Sequence, residues 1–176
     1  VSSAQIAIGQ EVTVTPLQLA LAYSVIANGG TLFYPRLLEA RSTGEGWTEE
    51  GSIARSHPIS SHTASIVRST LRSVVEEGTG ITAAVDGVAV GGKTGTAERL
   101  SGSTDYLSAF VGLVPADNPS FVLAVVIDGP DYEYRWGSAS AAPVFSKITS
   151  RVLSVQPSLA LGSGTEEINL VAGGTE

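Results

Sequence analysis

The sequence contains no cysteine and no methionine in 176 residues. Without cysteine, disulfide scaffolds, thiolate zinc sites and cysteine nucleophiles are excluded. Only two histidines, His57 and His62, are present, too few to build a histidine metal cluster. No metal and no cofactor is therefore expected, and both histidines read as surface or capping residues beside a helix start. Cations are scarce as well: 10 Lys and Arg stand against 17 Asp and Glu, a net charge of −7 and a pI near 4.8. That balance argues against a nucleic-acid partner. Lysine is rarer still, because only Lys93 and Lys147 are not arginine. The longest mainly apolar stretch, Leu17 to Ala27, falls short of the about 20 residues that span a bilayer, and no signal peptide is visible. The missing cysteine fits an extracytoplasmic protein. A chain that opens on Val1 without methionine reads as a piece of a longer or cleaved polypeptide, so any targeting segment or anchor would lie upstream.

What is present suffices for a core. Hydrophobic residues make up 43% of the chain, which excludes disorder over most of a single-domain length. Thr15-Pro16-Leu17-Gln18 is a capping box with proline at the first helical position. An apolar stripe at helical spacing runs on to Ala27, and Gly29-Gly30 stops it. An irregular stretch is expected from Thr31 to Ser60, with a turn at Thr43-Gly44-Glu45-Gly46. A second helix is expected from His62 to Glu77, capped by Ser61, with Ile66, Val67, Leu71, Val74 and Val75 inward. Three strands follow: Val88 to Ala97, Tyr106 to Val114, and Phe121 to Ile127. The links between them are too short for parallel crossovers, so the pairing must be antiparallel. The third strand is apolar on both faces and needs cover on both. A last helix is expected from Ala142 to Val155, capped near Ser140, with Val144, Phe145, Ile148, Val152 and Leu153 inward. The fold class is therefore α+β, an antiparallel sheet covered by helices on both faces. Residues 157–176 read as a solvated tail behind a unit spanning 1–156. Asp131 to Trp136 forms a polar-aromatic loop that either lies on the surface or rims a groove.

The segment Gly91-Gly92-Lys93-Thr94-Gly95-Thr96 admits three readings. Gly87 to Thr94 fits the phosphate-loop pattern G-x-x-x-x-G-K-[ST]. That loop needs a helix starting at the lysine, and Gly95 and Gly102 leave no room for one. The second reading is the K-T-G signature of penicillin-recognising serine acyltransferases. Here the motif lies on a strand, with an ammonium and hydroxyls along a groove to hold a carboxylate and a glycine that lets a ligand backbone approach. The third is a glycine-rich strand edge with a solvated lysine.

Further segments accompany the motif: Ala7 to Ala20, Ala27 to Gly30, Val90 to Glu98, Ala109 to Ala116 and Ala141 to Phe145. In this order and spacing the sequence resembles the C-terminal half of the transpeptidase domain of class B penicillin-binding proteins, most closely the division-type members. The resemblance implies a peptidoglycan D,D-transpeptidase that cross-links stem peptides through an acyl-serine and is trapped by β-lactams. Lys93 would match the K-T-G lysine, supplying positive potential and a proton-relay partner. Thr94 and Thr96 would bind the substrate carboxylate, the Thr96 N–H would serve the oxyanion hole, and Gly95 would admit the ligand. The resemblance also implies an extracytoplasmic location, with anchoring through an upstream segment.

The family's other motifs are absent. Val90 and Val144 stand three residues before the two lysines, so there is no S-x-x-K. Ile26, Ala116 and Glu167 stand two before the asparagines, so there is no S-x-N. The nucleophile and the opposite wall would have to come from upstream, and that upstream segment is the first partner expected. A β-lactam sensor or a silent relative shares K-T-G and stays open as the alternative.

Overall fold

The structure is a computed structural model that describes residues 12–42, 44, 46–99 and 104–162. Helix α1 spans Pro16–Ala27 and opens on the expected box: the Thr15 hydroxyl accepts from the Gln18 N–H, and the Gln18 side chain accepts from the Thr15 N–H. Such caps contribute about 0.5–2 kcal/mol. Helix α2 spans Ser61–Glu76, with Ser60 rather than Ser61 as its cap; the extended Ser60 backbone lets its hydroxyl accept from the Thr63 N–H. Helix α3 spans Ala141–Val155.

The stretch from Thr31 to Ser60 is not irregular throughout. Strand β1 (Leu32–Phe33) pairs antiparallel with β4 (Ala54–Ser56), and β2 (Ala40–Ser42) with β3 (Trp47–Glu49). Strands of two or three mostly exposed residues leave no alternation to read in the sequence. Thr43 and Glu45 of the expected turn lie outside the described residues.

The main sheet has the order β5-β6-β7, all antiparallel. Strand β5 spans Gly91–Glu98, β6 Tyr106–Val114 and β7 Phe121–Asp128. Strand β5 starts three residues later than expected, because Val88 makes only an isolated bridge to Val85. The register places Lys93, Gly95, Ala109 and Val111 on one face, and Thr94, Thr96, Ser108, Phe110 and Gly112 on the other. Helices α1 and α2 cover the first face: α2 passes over Gly91, α1 packs on β6 and β7, and Arg68 of α2 donates to the Ile26 carbonyl at 2.9 Å. Helix α3 covers the second face, where the Phe110 and Phe145 rings meet at 4.8 Å with both residues fully buried.

Two helical faces differ from the sequence expectation. In α3 the inward residues are Ala141, Ala142, Phe145 and Thr149, while Val144 and Ile148 are exposed. In α2, Ile66 is exposed and Ala64, Leu71 and Val75 are buried. In α3 the small residues let the helix approach the sheet closely and so set its rotation. The sheet returns the fit at Gly112, where a Cβ would stand 2.5 Å from the Phe145 ring; alanine there overpacks the core at about 1–3 kcal/mol. The tail expected from 157 opens as an ordered turn, Pro157–Leu161, after which Gly162 is buried against Asn118. Residues 163–176 lie outside the described residues.

Candidate functional site at the open edge of strand β5

Among the described residues β5 pairs only with β6, so its other edge is open. The hydrogen-bond phase decides what that edge presents. The Arg99 N–H donates to the Asp105 carbonyl in register with the ladder. Antiparallel pairs alternate between bonded and non-bonded, so Ala97, Gly95 and Lys93 bond to β6. The N–H and C=O groups of Thr94 and Thr96 therefore point to the open edge. No helix starts at Lys93, so the phosphate-loop reading is wrong: the motif is a strand, and a loop-to-helix anion cradle has no place in it.

The side chains converge on the same edge. Lys93 is exposed and curls round the strand, its Nζ donating to the Thr94 carbonyl at 3.0 Å and to Thr94 Oγ1 at 3.2 Å. Thr94 and Thr96 are half-buried on the α3 side. The Thr96 hydroxyl accepts the Gly137 N–H at 3.1 Å, which leaves its own O–H to donate. Gly95 is exposed, and a Cβ there would meet only the Ala109 Cβ at 3.6 Å, an ordinary contact. Packing requires the glycine at 112 but not the one at 95. The bare backbone at Gly95 thus keeps the exposed strand surface clear. The strand carries a cation, two hydroxyls, a free-pointing amide and an unobstructed backbone, the set that receives an extended ligand ending in a carboxylate.

Sequence reasoning missed the groups that hold this set in place. The β7–α3 connection crosses the sheet: Ser108 Oγ donates to the Arg135 carbonyl, and Gly137 sits so close over β5 and β6 that a Cβ would stand 2.5 Å from the Ala109 oxygen. The connection carries a one-turn helix, Tyr132–Tyr134. The Arg135 guanidinium stacks 3.8 Å from the Tyr132 ring centroid and 4.8 Å from that of Trp136. The polar-aromatic loop is thus tied to Thr96 through Gly137. The neighbouring Tyr106 phenol is pushed up from its ordinary pKa by burial, with the Glu98 carboxylate adding to the shift. On the other side, Thr79 reaches Thr94 with its hydroxyl. Among the described residues no group of three or more His, Asp or Glu is placed to hold a metal ion.

A family model described as the penicillin-binding protein transpeptidase domain matches residues 1–150. The chain belongs to this family. Its relatives include stage V sporulation protein D of Bacillus subtilis, 39% identical over 84% of this chain and 24% of that protein. Another is the probable peptidoglycan D,D-transpeptidase PenA of Neisseria flavescens, 34% identical over 93% of this chain and 40% of the relative. Among solved structures, penicillin-binding protein 3 of Mycobacterium tuberculosis in complex with aztreonam matches with a TM-score of 0.73 and 34% identity, over 88% of this chain and 38% of that one. This transpeptidase-domain chain therefore spans well under half the length of these relatives. The α+β fold read from the sequence is the fold of these structures. Among the described residues no helix is long and apolar enough to cross a membrane.

Proposed function

We propose that this chain supplies the K-T-G wall of a serine-type peptidoglycan D,D-transpeptidase. The observation that carries the reading is the open edge of β5, where Lys93 Nζ, the Thr94 and Thr96 hydroxyls and the outward Thr96 amide gather. The Lys93 ammonium and the two hydroxyls would hold the terminal carboxylate of a stem peptide by charge-assisted hydrogen bonds. That clamp lays the penultimate carbonyl along Gly95. A serine outside this chain then attacks that carbonyl. The serine oxygen–carbon bond forms, the amide carbon–nitrogen bond breaks, and D-alanine leaves as the amine after taking up a proton. Lys93 takes part in the proton relay, and the Thr96 N–H stabilises the oxyanion, a contribution of roughly 10²–10³ in rate for one such donor. An amine from a second stem peptide displaces the serine in turn. A β-lactam enters by the same carboxylate clamp and leaves the serine acylated.

On this reading residues 1–156 are the C-terminal part of the transpeptidase domain and need the upstream segment of the same polypeptide as partner. Their location is extracytoplasmic, with anchoring to the cytoplasmic membrane through that segment. The test uses the full-length polypeptide and a thioester analogue of the stem peptide ending in a carboxylate. Steady thiol release, blocked by a penicillin at one equivalent per protein, is the expected result. Stoichiometric penicillin labelling without thiol turnover would replace the transpeptidase with a β-lactam sensor.

A further inference from the structure

The turn that follows α2 brings a second hydroxyl to Thr94. Gly78 and Gly80 both donate to the Val74 carbonyl, at 3.1 and 2.9 Å. A Cβ at Gly78 would lie 2.9 Å from that same oxygen, and one at Gly80 would lie 3.1 Å from it. The turn continues into the short helix Ile81–Ala83, whose Ala83 is fully buried, and Thr82 Oγ1 donates to the Ser138 carbonyl at 2.6 Å. A segment anchored on both sides leaves Thr79 little freedom. It presents the Thr79 hydroxyl 3.1 Å from Thr94 Oγ1.

A hydroxyl has one proton and two acceptor positions. Lys93 Nζ occupies one acceptor position of Thr94 Oγ1. If the Thr94 proton is to meet a ligand carboxylate, the Thr79 hydroxyl must donate into the second. We propose that Thr79 is a positioning residue of the carboxylate clamp, acting through Thr94 by fixing where the Thr94 proton points. This rests on the transpeptidase reading given above and adds a residue outside the K-T-G segment to it.

The test measures penicillin acylation and thioester turnover in the full-length protein with Thr79→Val, Thr79→Ser and Thr94→Val, singly and with Thr79→Val combined with Thr94→Val. Valine keeps the shape and puts a methyl where water could otherwise donate. Thr79→Val should slow acylation about 5- to 10-fold, the range of one hydrogen bond, mainly by raising KM. Thr79→Ser should restore the rate to within about twofold. In the Thr94→Val background Thr79→Val should change nothing further. Additive losses in the double variant, or an unchanged rate in Thr79→Val, overturn the proposal. Should Thr79→Val fail to fold, Thr79→Ala takes its place in the same cycle. A Thr94→Val protein that acylates normally would remove Thr94 from the clamp and overturn the proposal with it, whereas penicillin labelling of the parent protein without thiol turnover would strike at the transpeptidase reading itself, so the two failures are distinct.

Discussion

Lys93→Ala in the full-length polypeptide should lower the rate of penicillin acylation by roughly 10²–10⁴, the range of a positioned proton-transfer group, with the melting temperature unchanged. The separation follows from where Lys93 sits. Its side chain is exposed and, among the described residues, bonds only within its own edge, to the Thr94 carbonyl and hydroxyl. Lys93 is not among the buried core residues, so shortening it leaves the core in place, whereas on the proposed reading a bound carboxylate loses its cation. Stopped-flow acylation with a chromogenic cephalosporin measures the rate, and a thermal melt checks the fold. A variant that acylates at the parent rate would remove Lys93 from the site.

The second large effect concerns residues 1–176 expressed alone. The outer edge of β7 is as open as that of β5 among the described residues, and its phase is fixed in the same way. The Gly129 N–H donates to the Tyr106 carbonyl, so the backbone groups of Val122, Ala124 and Val126 point away from β6. Val126 of β7 is exposed, and so is Leu17 of α1, which shares a pocket with Phe121 and Val122 at the start of that strand. A groove of about 550 Å³ between α1, α2 and the β1–β4 pair is lined by Leu21, Val25, Ile59 and Val67. On α3, Val144, Ile148 and Val155 are exposed together. Unpaired strand edges beside apolar side chains are templates for aggregation. The isolated chain should therefore bind a hydrophobic dye strongly, associate in solution and melt without a cooperative transition, while the full-length protein does none of these. A soluble monomer of 1–176 with a sharp calorimetric transition would show that the domain is complete without an upstream partner.

The long elements were legible because their signals are local. The capping box at Thr15 and the strand of nine at Tyr106–Val114 carry their own start and period. The stretch from 31 to 60 was not, since its strands are too short for a period to show. The rotation of α3 was misread because hydrophobicity alone ranks Val144 and Ile148 above Ala141 and Thr149, although close approach to the sheet favours the smaller side chains. The site divides along the same line. Lys93, Thr94, Gly95 and Thr96 stand next to one another and announce themselves as a motif. Thr79 and Gly137 reach them from 15 and 41 residues away, and no local pattern records such contacts. Gly95 and Gly112 look alike in sequence, and only the space around each separates a glycine kept clear for a ligand from one imposed by the Phe145 ring.

On the proposed reading the open edge of β5 is one wall of an acylation site whose nucleophile lies outside this chain. Peptide mapping by mass spectrometry of the full-length polypeptide after reaction with a penicillin tests it directly. The expected result is a single adduct, on a serine in the segment preceding Val1, abolished by replacing that serine and slowed by Lys93→Ala. An adduct on any residue of the 176 described by this sequence, or labelling of the isolated chain at one equivalent, would contradict it.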